Sequence, residues 1–371
     1  MLKKSLALLA GLLVTVAVYA AGAQLRSGHP DTYVVKKGDT LWDISARFLQ
    51  KPWLWPEIWQ ANPQVHNPHL IYPGDVLNLA YVNNRHVVTL KPRMREEGSP
   101  IAAIPLDQLS MFLKDLRVVD SGDLQKTPYV VGFEQNRLRG VPGHFLYVRG
   151  LKDAKPGQRF AVVRPSHVFR KFSDSPTETA DKLDSDVAMV PGPWTEDLRH
   201  NGHLGLGEQI GLEVKVIGHA RFMRGGDPST LMLDDSTREV RAGDRLMPVN
   251  DKPYDATYYP HAPKSVPGNA RVLALTDALN ASGPRQVVAL SIGRSDGVDN
   301  GQTYSVFQPG DSIHDDVASD SLRRGVGQRV TLPAEFVGHV MVFRTFDHVS
   351  YGLIMDGVRP VHIGDLLKMP E

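Results

Sequence analysis

The chain has 371 residues, with 42 Lys plus Arg against 41 Asp plus Glu, a formal charge of +1 and no cysteine. That length suits two or three domains, each able to bury a core. Near-neutrality supplies no long-range field to gather nucleic acid or an anionic membrane, and the lack of cysteine excludes disulfides, a thiolate-ligated zinc, a cysteine nucleophile and a lipid-modified N-terminal cysteine.

Lys3 and Lys4 precede an apolar run from Leu6 to Val18, and Ala21-Gly22-Ala23 offers the small residues that signal peptidase requires before Gln24. Residues 1–23 therefore read as a secretory signal peptide, and the expected location is the periplasm. The alternative is an uncleaved anchor, because Leu6 to Ala23 is just long enough to cross a bilayer, and contact with a membrane is expected in that case alone. Loss of Lys3 and Lys4 with the leader takes the formal charge from +1 to −1.

Residues 31–81 form a compact aromatic segment with Trp42, Trp53, Trp55 and Trp59, four of the five tryptophans in the chain. Tyr33-Val34-Val35 is strand-like, and Lys36-Lys37-Gly38-Asp39-Thr40 is a turn whose Asp39 or Thr40 can cap a helix starting at Leu41. Leu41, Ile44, Phe48 and Leu49 recur at helical spacing, and a second helix is predicted from Pro56 to Gln60 or Ala61, ended by Asn62-Pro63. Tyr72-Pro73-Gly74-Asp75 then turns the chain into the strand Val76-Leu77-Asn78-Leu79, antiparallel to the first. Trp53, Trp55 and Trp59 suit core packing and a contact with the following domain better than a sugar-stacking platform, given the area a tryptophan buries.

Residues 82–127 read as a linker: Arg85 to Pro100 is charged, and from Pro105 Leu106, Leu109, Leu113 and Leu116 fall at the spacing of one amphipathic helix. Beyond Pro128 short β-type runs separated by Gly, Pro, Asp and Asn predict a mainly β region. It divides into two related modules, 128–249 and 269–371. Pro156-Gly157-Gln158-Arg159-Phe160-Ala161-Val162 resembles Asn300-Gly301-Gln302-Thr303-Tyr304-Ser305-Val306, 144 residues on, and Gly218-His219 matches Gly338-His339, 120 residues on. Val240 to Leu246 likewise matches Val361 to Leu367. The smaller second offset places an insertion in the first copy, read as a loop over 166–209, and each copy ends in a Gly-Asp turn that delivers a short last strand. Asn250 to Gly268 has the composition of an extended connector.

The residues Tyr33 to Ser45, the central Ala61-Asn62-Pro63 and Leu70-Ile71-Tyr72-Pro73-Gly74-Asp75-Val76-Leu77 resemble the LysM domain, a carbohydrate-binding module of bacterial cell-wall proteins. The stretch Trp53 to Trp59 is similar to a LysM subgroup of proteobacterial envelope proteins. The resemblance implies a βααβ module that binds N-acetylglucosamine-containing glycan, peptidoglycan strands here, in a shallow groove. Gly38, Asp39, Thr40 and Leu41 would line one side, with Asn67, Leu70, Ile71, Tyr72 and Pro73 on the other. Turns beside helix ends supply backbone donors and acceptors for N-acetyl groups, although Leu41, Leu70, Ile71 and Tyr72 suit the module's own core as well. Where the family usually carries Gln after Pro-Gly, this chain has Asp75.

The remaining chain carries few motifs of an attached enzyme. Neither H-E-x-x-H nor H-x-H occurs, and His66/His69 and His200/His203 lie in loop-like stretches without a third ligand; Ser-x-x-Lys is absent. Gly293-Arg294-Ser295-Asp296-Gly297 fits G-x-S-x-G, but the following Val298 to Gln302 is a turn and not the helix that a nucleophile elbow requires. No Asp/Glu pair is singled out for glycoside hydrolysis. The expectation is an α+β protein, an N-terminal βααβ LysM module followed by two related small barrel-like β repeats. It would be exported and non-catalytic, with no cofactor, metal or nucleic acid, binding peptidoglycan. The alternatives are a cell-wall hydrolase of unrecognised type, or a scaffold whose β repeats capture an envelope protein.

Overall fold

The computed structural model describes residues 24–30, 32–56, 71–82, 85–91, 116–170, 187–189, 209–249, 258–276, 278, 280–315 and 328–370. The N-terminal unit begins with β1 (Thr32–Val34), followed by helix α1 (Leu41–Phe48), a 3-10 turn over Pro52–Leu54, β2 (Val76–Val82) and β3 (Arg85–Lys91). Thr40 is the N-cap of α1: its Oγ1 accepts the Asp43 N–H at 3.1 Å and donates to the Asp43 carboxylate at 2.8 Å. The helix buries Leu41, Ile44 and Phe48 along one face at the i, i+3, i+7 positions, and Trp42 on a different side. Trp55 and Pro56 are helical, and the rest of the predicted second helix lies outside the described residues.

β2 pairs antiparallel with β1, as predicted, and also with β3, so the sheet has order β1-β2-β3. The linker expected from residue 82 is corrected here. Arg85–Lys91 carries a β-branched run, Val87, Val88 and Thr89, and the free edge of β2 supplies the ladder it pairs to.

The second unit contains β4 (Leu116–Val119), α2 (Ser121–Lys126), β5 (Tyr129–Phe133), β6 (Phe145–Arg149), β7 (Arg159–Arg170), β8 (Val187–Met189), β9 (Gln209–Arg224), β10 (Ser229–Ser236) and β11 (Arg245–Pro248). Its strand order is β4-β9-β10-β6-β5-β11-β7-β8, and β7 also pairs with β9, so six strands return on themselves. Val130, Leu146, Val162, Phe222 and Leu231 are among the side chains buried inside. Two boundaries move. Leu116, predicted on an amphipathic helix, opens β4 and pairs with Lys215, so this unit starts before residue 128; the remainder of that predicted helix lies outside the described residues. Residues 166–170, predicted in a loop insertion, continue β7, which pairs with β9 as far as Arg170↔Gln209. Burial of Val168 and Phe169 is the reason: one packs with Leu212 and Val214, the other in the large cluster shared with the third unit.

The third unit contains β12 (Val272–Leu275), β13 (Val287–Leu290), β14 (Thr303–Gln308), β15 (Ser312–Asp315), β16 (Gln328–Thr331), β17 (Glu335–Thr345), β18 (Ser350–Gly357) and β19 (Leu366–Lys368). The order β12-β13-β18-β17-β14-β19 is followed by a bridge, Arg271↔Leu366, that brings β19 beside the start of β12. Strand for strand this is the order β5-β6-β10-β9-β7-β11 of the second unit. Details agree: Val130 exchanges hydrogen bonds with the Gly243-Asp244 turn at 2.8 and 2.9 Å, and Val272 does so with Gly364-Asp365 at the same distances. β15 and β16 form a separate two-stranded ribbon beyond β14 and β17.

The N-terminal unit lies against the third. Trp42 Nε1 donates to Asp356 at 3.2 Å, the Trp53 ring sits 4.8 Å from that of His339, and Trp55 is 6.1 Å from Tyr259. Arg285 is 3.8 Å from Asp43. One apolar cluster runs from Ile44, Phe48 and Trp55 to Tyr258, Leu273 and Tyr351.

Candidate glycan site

Two turns of the same construction meet at the end of the N-terminal sheet. In the first, Asp39 Oδ2 accepts the Lys36 N–H at 2.7 Å and the Tyr33 hydroxyl at 2.8 Å. Asp39 thus closes the turn while Thr40 caps the helix. Burial, and then the bond to Asp39, push the Tyr33 phenol above its ordinary pKa. In the second turn, Asp75 Oδ2 accepts the Tyr72 N–H at 2.9 Å. Val35 joins the two: its N–H donates to Asp75 at 2.9 Å and its carbonyl accepts from Gly74 at 2.8 Å. Gly38 and Gly74 have φ of +92° and +94°, a region that L side chains avoid.

The structure therefore brings Gly38, Asp39, Thr40 and Leu41 beside Ile71, Tyr72 and Pro73. Their exposures differ. Gly38 and Pro73 are exposed and Asp39 and Tyr72 half-buried, whereas Leu41 and Ile71 are 0% and 1% exposed and Thr40 spends its hydroxyl on the cap. Those last three belong to the core beneath the turns. Asn67 and Leu70 lie outside the described residues.

Asp75, 2% exposed, is a working substitute for the family's usual Gln. The same turn is closed by Asp244 on the Arg241 N–H (2.6 Å) and by Asp365 on the His362 N–H (2.8 Å). Gln158 and Gln286 close it through Oε1 on Lys155 (3.1 Å) and Gly283 (2.6 Å). One hydrogen-bond acceptor at the fourth turn position is what the geometry needs, and Asp and Gln both provide it.

Ser295 donates to the Asp347 carbonyl at 2.7 Å and lies 3.0 Å from His348 Nδ1. It sits in a 3-10 turn, Arg294–Asp296, that ends at left-handed Gly297, with no helix behind it to aim the hydroxyl. Among the described residues no group of three or more His, Asp or Glu is placed to hold a metal. His66, His69, His200 and His203 are outside the described residues. Nor, among the described residues, is any helix long and apolar enough to cross a membrane.

One polar centre was not foreseen from the sequence. Glu213, 1% exposed on β9, accepts from Ser166, contacts His167 Nδ1 at 2.8 Å and takes the Tyr351 hydroxyl at 2.6 Å. Burial alone would raise this carboxyl, but the bonds and charge of His167, with those of Ser166 and Tyr351, outweigh it and hold the pKa below its ordinary value. Tyr351 belongs to β18, so Oε2 of Glu213 ties the second unit to the third, while Oε1 is held within the second unit by Ser166 and His167.

A stretch of the chain is 38% identical over 60 residues to the uncharacterized protein YqbP of Bacillus subtilis (strain 168), covering 14% of this chain and 27% of that one. The chain thus spans about a quarter of that relative's length. Residues 33–80 match the LysM domain family, whose members bind peptidoglycan glycan, and this stretch is a LysM domain.

Proposed function

We propose that the protein is an exported, non-catalytic envelope protein that holds peptidoglycan through its LysM domain. N-acetylglucosamine-containing glycan lies across Gly38, Asp39, Tyr72 and Pro73. The observation that carries this reading is the pair of turns locked together through Val35, which sets exposed backbone from both turns side by side over an apolar floor. Such a site needs no titrating group, only fixed donors, acceptors and a small apolar wall. The leader at residues 1–23 delivers the chain to the periplasm, and it contacts the membrane if that segment stays attached. No cofactor takes part.

The two six-strand units are barrel-like modules related by duplication; their shared strand order, the matched Gly-Asp turns and the sequence motifs recurring in the same order support this. Their role is to position the LysM domain and to make a second contact in the envelope, where many weak glycan sites on one polymer add up by effective concentration.

Co-sedimentation of the leaderless chain with insoluble peptidoglycan tests the reading, with released sugar assayed in the supernatant. The expected result is pelleting without release, weakened at least about tenfold by Tyr72→Ala combined with Pro73→Glu. Release of sugar over time would favour a hydrolase. Pelleting that ignores the double variant would move binding off the LysM domain and onto the β modules.

A further inference from the structure

Where β7 and β9 run past their ring they carry Phe169 and Ile210 onto the outer face of the other ring. Phe169 is fully buried in one cluster with Val287, Ala289, Phe343 and Leu353, Ile210 packs against that cluster, and Glu213 takes the Tyr351 hydroxyl beside it. Both halves of this joint recur in the chain, and among the described residues neither recurrence is covered.

The projecting half recurs as the ribbon β15–β16. Ile313 stands 144 residues after Phe169 and Val330 stands 120 after Ile210, the same steps that relate Phe160 to Tyr304 and Gly218 to Gly338. Ile313 and Val330 pair directly across the ribbon, 45% and 40% exposed, with Leu332 beside them at 41%.

The receiving half recurs on the first ring. Phe145↔Met232 and Tyr147↔Thr230 on β6 and β10 repeat the register of Val287↔Leu353 and Ala289↔Tyr351 on β13 and β18. Met223 on β9 stands where β17 has Phe343, 120 residues on. Leu146, Val148, Leu231 and Phe222 alternate into the ring, so Phe145, Tyr147, Met232 and Met223 share its outside; Phe145 is 37% and Met223 43% exposed.

We propose that the ribbon β15–β16 of one molecule docks on the outer face of β6, β10 and β9 in a second copy of this chain, repeating between molecules the joint already made within one. The occupant follows from continuity. Each ring presents one half of an interface whose complete form the chain itself displays, apolar side chains against an apolar sheet face. Donor and acceptor are different surfaces, so the contact is heterologous and extends head to tail unless the rotation closes a ring. The inference rests on the strand correspondence of the two rings and is independent of glycan binding.

Sedimentation of the leaderless full chain over a wide concentration range reads the association. The wild type is expected to grow past a dimer as concentration rises. Ile313→Asp with Val330→Asp, and separately Met223→Asp, should each weaken association at least about tenfold. An equimolar mixture of the two variants should stop at a dimer, because one intact ribbon and one intact face remain. Since all three positions are exposed, unchanged melting of the variants keeps misfolding out of the reading, and pelleting with peptidoglycan reads glycan binding apart from association. A monomer at every concentration overturns the proposal. So does loss of association in the ribbon variant with none in Met223→Asp, which would mean that ribbons pair with each other.

Discussion

The indole N–H of Trp42 donates to Oδ2 of Asp356 at 3.2 Å, while Oδ1 of the same carboxylate takes the His339 N–H at 3.0 Å and faces that ring's Nδ1 at 2.8 Å. A helix residue of the LysM domain and a strand residue near the C-terminus are thereby fixed to one another. The Trp53 ring packs against the same histidine at a tilt of 51°, so the carboxylate orients the imidazole that the second tryptophan contacts. The LysM domain is held as part of the last ring and does not swing on a tether.

Removal of this carboxylate has a calculable cost. Asp356→Ala leaves the buried Trp42 donor and the His339 N–H without their acceptor, a loss of about 1–3 kcal/mol. We expect a lower melting temperature together with faster hydrogen exchange in α1. Trp42→Phe removes the donor but keeps most of the ring, and should cost less than Asp356→Ala in the same measurement.

The two Gly-Asp turns that begin the last strands differ in their charge partners. Asp244 is gripped by Nε and Nη2 of Arg164, both at 2.7 Å. Asp365 accepts the His362 N–H, and the register that puts Arg164 beside Asp244 puts Gln308 beside Asp365. Burial raises the Asp365 carboxyl from 3.8 to about 6, with the His362 bond and charge opposing. A folded-state value above the unfolded one favours the protonated form in the fold. Stability from this group is therefore full below about pH 4, falls as pH rises toward 6 and is level above. Unfolding measured from pH 4 to 7 should show this decline in the wild type relative to Asp365→Asn. Gln308→Arg should abolish it by supplying the guanidinium that the first ring has.

Tyr351 and Glu213 carry the joint between the rings, and the same joint predicts a selective effect. Tyr351→Phe removes the hydroxyl from a carboxylate that is 1% exposed, costing about 1–3 kcal/mol because the oxygen stays buried. The Glu213 pKa is held low, so its contribution is present above the ordinary carboxyl range and lost as pH falls through the depressed value. Acid unfolding of Tyr351→Phe should begin at a higher pH than that of the wild type.

What could be read from the sequence was local. A Gly at positive φ followed by an acceptor at the fourth turn position announces itself in four residues, which is why Gly38-Asp39, Gly74-Asp75, Gly243-Asp244 and Gly364-Asp365 are all legible; the helix cap is narrowed to Asp39 or Thr40, and the structure places it at Thr40. β3 was hidden because Arg85 and Lys91 bracket its apolar residues and its partner is β2, a pairing that charge content does not reveal. Leu116 fell in helical step with Leu113 by spacing alone, but its ladder partner Lys215 is about a hundred residues away. Glu213 gave no signal at all: Ser166, His167 and Tyr351 converge on it through the fold and not through any motif. Of the candidate site, the turn residues were visible, while the burial of Leu41 and Ile71 depended on which face the sheet presents to α1.

The turn at Tyr72 to Asp75 separates the acceptor's chemistry from its charge. Asp75→Ala removes the partner of the Tyr72 N–H inside a site that is 2% exposed, so the turn loosens by about 1–2 kcal/mol and the adjoining groove with it. Asp75→Gln returns an oxygen acceptor of the kind that Gln158 and Gln286 already use in this chain. Melting temperature and peptidoglycan pelleting measured together should rank wild type and Asp75→Gln close to each other and Asp75→Ala well below. Equal loss in both variants would instead mean that the negative charge itself supports the groove, since an amide restores the hydrogen bond but not the carboxylate.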